Sequence, residues 1–123
     1  AQDAASYRLA ISAWKEIVSD AAAPKTWSHQ ALAKMGAANE KLGNTDAALD
    51  CYYSVFSQGQ KGEPEYFWYY KAGFDAGRLF ESQKLWKEAI AVYEKIASID
   101  GPRAVEARER INKLRLENFI WEN

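Results

Sequence analysis

One histidine, one cysteine and three prolines stand in 123 residues, and each scarcity removes a class of function. His29 has no second histidine to join it, and no CxxC or HExxH spacing occurs, whereas a metal centre draws on three or four ligands. No metal or other cofactor is expected. Cys51 alone allows no internal disulfide, which suits reducing and oxidising compartments alike, so localisation stays open between cytoplasm and periplasm. Between Asp50 and Tyr52 on a predicted helix, it reads as a small packing residue. Use as a nucleophile requires a base beside it, and His29 is only a candidate for that.

Charge of one sign is also missing. Lys and Arg number 16 and Asp and Glu 17, the net charge is -1, and no run of five like charges appears, so nucleic acid is not an expected partner. No apolar run approaches the roughly 18 residues of a membrane-spanning helix, and membrane insertion is not expected. The start, AQDAASYRLA, has no methionine, no basic n-region and no apolar h-region, and reads as a mature fragment or a segment of a longer protein. The stretch GQKG at 59–62 lacks the phosphate-loop spacing GxxxxGK[ST]. The carboxylate pairs Glu63 with Glu65 and Glu106 with Glu109 fall on predicted turns or helix faces, where solvated charge is the default. An enzyme is not expected.

What the chain does have is 48% hydrophobic residues, 14% aromatics and 27% charged residues, enough for one globular domain over 1–123 with a continuous core. It also has one helix written three times. Trp86, Ala89, Ile90, Tyr93 and Ile96 have counterparts at Thr45, Ala48, Leu49, Tyr52 and Val55, and again at Tyr7, Ala10, Ile11, Trp14 and Ile17. The small and aromatic residues recur at i, i+4 and i+7, one face of an α-helix. The repeat alanines are spaced 38 residues (Ala10 to Ala48) and 41 residues (Ala48 to Ala89), within the range of stacked two-element repeats.

A further helical stretch precedes the second and third copies, each with a glycine twelve residues before the repeat alanine, at Gly36 and Gly77. Mid-helix glycine costs about 1 kcal/mol relative to alanine, a cost explained by two helices in close contact there. Gly43-Asn44 reads as a left-handed helix end followed by an N-cap, a tight helical hairpin. The third copy has SQKL at this turn, with no glycine. Pro24, Pro64 and Pro102 each fall early in a predicted helix, where a missing N–H costs little.

On these residues the chain resembles the tetratricopeptide repeat. Leu32, Gly36, Gly43, Ala48 and Tyr52 carry its pattern of large, small, small, small and aromatic positions, and Gly77, Phe80, Trp86, Ala89, Tyr93, Ile96 and Gly101-Pro102 carry it again. The resemblance implies an all-α fold, a right-handed α-solenoid of antiparallel helical hairpins with about six helices. It divides the chain into an orphan second helix at 1–20, a second repeat at 26–58, a third repeat at 63–100 and a terminal capping helix at 102–120. The family repeat is about 34 residues, so the spacings here run four and seven longer. The larger surplus falls at GEPEYFWYY, predicting a lengthened first helix in the third repeat.

The resemblance further implies a non-catalytic scaffold that holds a protein or peptide in a groove lined by first helices at i, i+3, i+7 and i+10. In the second repeat that lane is Gln30, Ala33, Ala37 and Glu40, with Trp27 upstream. In the third it is Lys71, Phe74, Arg78 and Glu81, with Phe67 added by the extension. Trp27, Phe67 and Phe74 would be apolar anchors, and Lys71 and Arg78 would favour a carboxylate. A competing reading packs Phe67 and Phe74 beneath the terminal helix and leaves Lys71 and Arg78 solvated. The family's carboxylate clamp is not carried over, because Lys34 stands where the clamp has asparagine and only Lys71 matches. An alternative function is structural, a segment of a longer array or a homo-oligomer, with Trp14, Phe119 and Trp121 at its open ends. Small-molecule or RNA binding comes third: the YFWYY aromatics at 66–70 could stack on bases but lack a basic surround.

Overall fold

A computed structural model describes residues 4–58, 67–99 and 102–118, and among them lie six α-helices and no strand. They are α1 (Ala4–Ser19), α2 (Lys25–Lys41), α3 (Thr45–Gln58), α4 (Phe67–Ser82), α5 (Trp86–Ala97) and α6 (Pro102–Asn118). The chain divides into two compact units, Ala1–Ala72 and Gly73–Asn123, with the division inside α4. None of the described helices is long and apolar enough to cross a membrane.

In the first unit α2 packs against both α1 and α3. The apolar residues that recur at helical spacing, among them Leu32, Met35, Ala48, Tyr52 and Val55, form its buried interior, and α3 meets the start of α4 through stacked rings of Phe56 and Tyr69 at 4.6 Å. In the second unit Ala89, Ile90, Tyr93 and Ile96 of α5 are buried, and Ala104, Ala107, Ile111 and Leu114 present the buried stripe of α6. That spacing of three and four residues is why α6, with a polar composition otherwise, docks at all.

Both glycines expected at close helix contacts are at such contacts. A Cβ placed on Gly36 would lie 2.8 Å from Cδ1 of Tyr52, and one on Gly77 would lie 2.5 Å from Cζ of Tyr93. The two rings are each 1% exposed. Each tyrosine therefore lies flat over backbone that a methyl group would hold away, and the 41-residue offset that relates Ala48 to Ala89 also relates these two pairs.

The hairpin turns repeat as well. After α2, the N–H of Gly43 donates to Glu40 C=O at 3.0 Å and that of Asn44 to Asn39 C=O at 2.8 Å; after α4, Lys84 donates to Glu81 and Leu85 to Phe80, both at 2.9 Å. These are the paired bonds of a helix end closed by a left-handed residue. Gly43 takes that conformation at φ 80°, and Lys84 takes it at φ 61°, so the turn without glycine is made by a residue that pays for it in backbone strain.

α1 differs from the other helices in having no buried residue at all. The lengthening expected in the third repeat is not carried by the described part of α4, which has 16 residues against 17 in α2. Residues 59–66, which include Pro64, Glu63 and Glu65, lie outside the described residues, as do Phe119 and Trp121. Pro24 sits one position before α2 and Pro102 opens α6.

Two substitutions test this reading of the turns and contacts. Lys84→Gly should raise the unfolding free energy by up to about 1 kcal/mol, relief of left-handed strain outweighing glycine's extra chain entropy. Gly36→Ala should lower it by about 1–2 kcal/mol despite alanine's better helix propensity, because the Tyr52 ring must shift. Urea denaturation of each variant beside the parent decides both, and a stabilised Gly36→Ala protein would refute the close contact.

Candidate functional site

The residues expected to face a partner are not all free to do so. On α2, Trp27 is 60% exposed, Gln30 is half-buried and Ala37 is exposed, but Ala33 is 3% exposed and belongs to the core. The accessible lane on this helix runs Trp27, Gln30, Lys34 and Ala37, again at i, i+3, i+7 and i+10. Ala33 is thus corrected to an interior position and Lys34 takes its place, because α2 is packed on two sides by α1 and α3 and its free strip is narrow.

Glu40 and Glu81 are also turned to internal use. The hydroxyl of Tyr52 donates to Glu40 Oε2 at 2.5 Å, and that of Tyr93 donates to Glu81 Oε2 at 2.6 Å. Each buried ring thereby delivers its polar atom to a carboxylate one helical turn beyond the glycine it covers. In the second unit Arg110 of α6 joins, its Nη2 donating to the same Glu81 oxygen at 2.6 Å while its guanidinium lies 5.9 Å from the Tyr93 ring centre. Burial, then the hydrogen bond to Glu81 and then its charge, push the Tyr93 hydroxyl well above the ordinary tyrosine range, with Arg110 opposing. The bond to Glu81 likewise raises Arg110, against its partial burial.

On α4, Phe67 is 55% exposed, its ring meeting that of Trp68 edge-on at 4.8 Å. Lys71 and Arg78 are exposed, Arg78 lying 3.6 Å from Asp75. Phe74 is half-buried with its ring 5.8 Å from that of Tyr93, which makes it part of the α4–α5 packing and a poor free anchor.

A cleft of about 230 Å³ opens between α1 and α2, lined by Trp14, Ile17, Trp27, Gln30, Ala31 and Lys34. Trp14 occupies the register that Tyr52 and Tyr93 hold in the other copies, yet it is only half-buried. The sequence showed Trp14 as an open-end residue but did not join it to α2.

The remaining chemistry is modest. His29 and Cys51 are both buried, and the His29 Nε2 has no hydrogen-bond partner among the described residues. Burial first, then the charge of Asp50, push the Cys51 thiol up, away from the thiolate that a nucleophile requires. Among the described residues no group of three or more His, Cys, Asp or Glu could hold a metal ion. No protein-family model matches the chain, and no curated protein or solved structure is significantly similar to it.

The Tyr93 arrangement sets a pH dependence. Because the folded state raises this hydroxyl above its unfolded value of about 10, its contribution to stability is complete below pH about 10 and is lost as pH climbs higher. Tyr93→Phe should cost about 1 kcal/mol at neutral pH and flatten the alkaline fall in stability. Thermal unfolding between neutral and strongly alkaline pH checks this; an alkaline limb as steep as the parent's would exclude Tyr93 as its source.

Proposed function

We propose that the chain is a non-catalytic scaffold of tetratricopeptide-like helical hairpins that binds a partner polypeptide. The observation that carries this reading is the exposure of two large aromatics on first helices of the first unit, Trp27 on α2 and Phe67 on α4. Solvent-exposed aromatics of this size are the residues that most often anchor a partner when a surface is buried. Gln30, Lys34 and Ala37 accompany Trp27 on the accessible strip of α2, and exposed Lys71 follows Phe67 by one turn on α4, side chains suited to a peptide that carries both apolar and acidic groups. The repetition of the glycine–tyrosine–glutamate contact supports two hairpins built on one plan, as a helical repeat requires. The raised Cys51 thiol disfavours that residue as a nucleophile.

A second reading, self-association through α1, has its own support: α1 has no buried residue and Leu9 is 73% exposed.

Screening the chain against an array of synthetic peptides tests the first reading. Trp27→Ser and Phe67→Ser should each weaken the selected peptides by roughly tenfold or more without changing the unfolding midpoint. Unchanged binding in both variants would remove these anchors. Light scattering across concentrations tests the second: a mass of 13.9 kDa for the parent excludes it, and a dimer that reverts to monomer in Trp14→Glu supports it.

A further inference from the structure

The cleft between α1 and α2 has two kinds of wall. Trp14, Ile17, Trp27 and Ala31 supply apolar surface, while Gln30 and Lys34 supply polar groups, and no carboxylate lines it. Lys34 is exposed and forms no ion pair among the described residues, and neither indole N–H nor the Gln30 amide has a hydrogen-bond partner among them. The site therefore offers donors and positive charge with nothing to answer them.

The rest of the chain shows what answers such a face. Tyr52 and Tyr93, at the register of Trp14, are each covered by a helix that brings a glycine over the ring and a glutamate one turn later to accept the hydroxyl. Trp14 has a larger ring, a ring N–H in place of the hydroxyl, and no such cover among the described residues. Small residues let a helix backbone approach an aromatic face closely, and an acidic residue meets a buried donor with a charge-assisted bond.

We infer that this cleft takes an α-helix of a partner polypeptide, one carrying glycine or alanine over Trp14 and an acidic residue one turn further on. The carboxylate would be received by the Trp14 indole N–H and the Lys34 ammonium, and the apolar edge of the helix would lie along Ile17 and Trp27. A second copy of this chain is a poor source of that helix. Its two helices with the required pattern, with Gly36 and Glu40 on one and Gly77 and Glu81 on the other, already cover its own Tyr52 and Tyr93. The inference rests on the polypeptide-binding reading and specifies its partner as helical, small-faced and acidic.

The probe is a labelled, hydrocarbon-stapled peptide copying residues 25–41 of this chain, which contains both the glycine and the glutamate, added to the full chain and followed by fluorescence anisotropy. Saturable one-to-one binding is expected. Replacing the peptide's glycine by leucine should weaken it at least tenfold, as should Trp14→Glu in the chain. Lys34→Glu, at an exposed position that leaves the fold intact, should weaken the parent peptide and bind better to a peptide carrying lysine in place of the glutamate. Binding indifferent to Trp14, Lys34 and the peptide glycine would overturn the inference. So would a dimer of the chain alone that Trp14→Glu dissolves, which would make a second copy the occupant. If array peptides still bind through Trp27 and Phe67 while the stapled helix does not, the polypeptide-binding reading stands and the cleft inference falls. If no peptide of either kind binds, both fall.

Discussion

A tyrosine ring resting on a glycine backbone is the contact on which each hairpin of this protein depends. Gly36 admits Tyr52 and Gly77 admits Tyr93, and in both cases the ring is almost wholly removed from water. A buried phenol must still satisfy its hydroxyl, and the chain places a glutamate one turn along the same glycine-bearing helix to do so. One constraint therefore fixes three residues: a missing side chain, a large ring and a carboxylate, spaced so that two helices lock in register as well as in contact. In the second unit Arg110 extends that lock to a third helix, neutralising the carboxylate that the tyrosine alone would leave charged at a half-buried site.

This constraint separates what the sequence made readable from what it did not. The glycine twelve residues before Ala48 and Ala89, the aromatic four after each repeat alanine, and the SQKL turn without glycine were all visible, because the sequence sets the copies side by side. Lys84 at a left-handed φ is the physical form of that last irregularity. The face of α2 was not legible to the residue. Ala33 went inside and Lys34 outside because α1 and α3 flank the helix, and a single residue's rotation of about 100° exchanges the two. Glu40 and Glu81 were read as partner-facing for the same reason, since charged residues default to solvent until a buried donor is known to lie beside them. Arg110 could not be tied to Glu81 from sequence, because 29 residues separate them and no periodicity relates them.

The candidate surface follows from the places where the lock is incomplete. Among the described residues α1 has the aromatic without a covering glycine, and Trp14 is half-buried beside Trp27 and Lys34. Helices with little buried surface contribute least to cooperative stability and are the first to open. A ligand that covers the apolar stripe of α1 would thus add burial that the helix lacks by itself.

Gly43 and Lys84 reach one geometry by different thermodynamic routes. Both close a helix with the same pair of hydrogen bonds, but glycine arrives from an unfolded chain with wide backbone freedom, whereas lysine arrives from a more restricted one and keeps strain in the native turn. The first hairpin's turn is thereby opposed mainly by entropy and the second's mainly by native strain. Heating penalises an entropic cost more than an energetic one, so the two turns, alike in form, respond unequally to temperature.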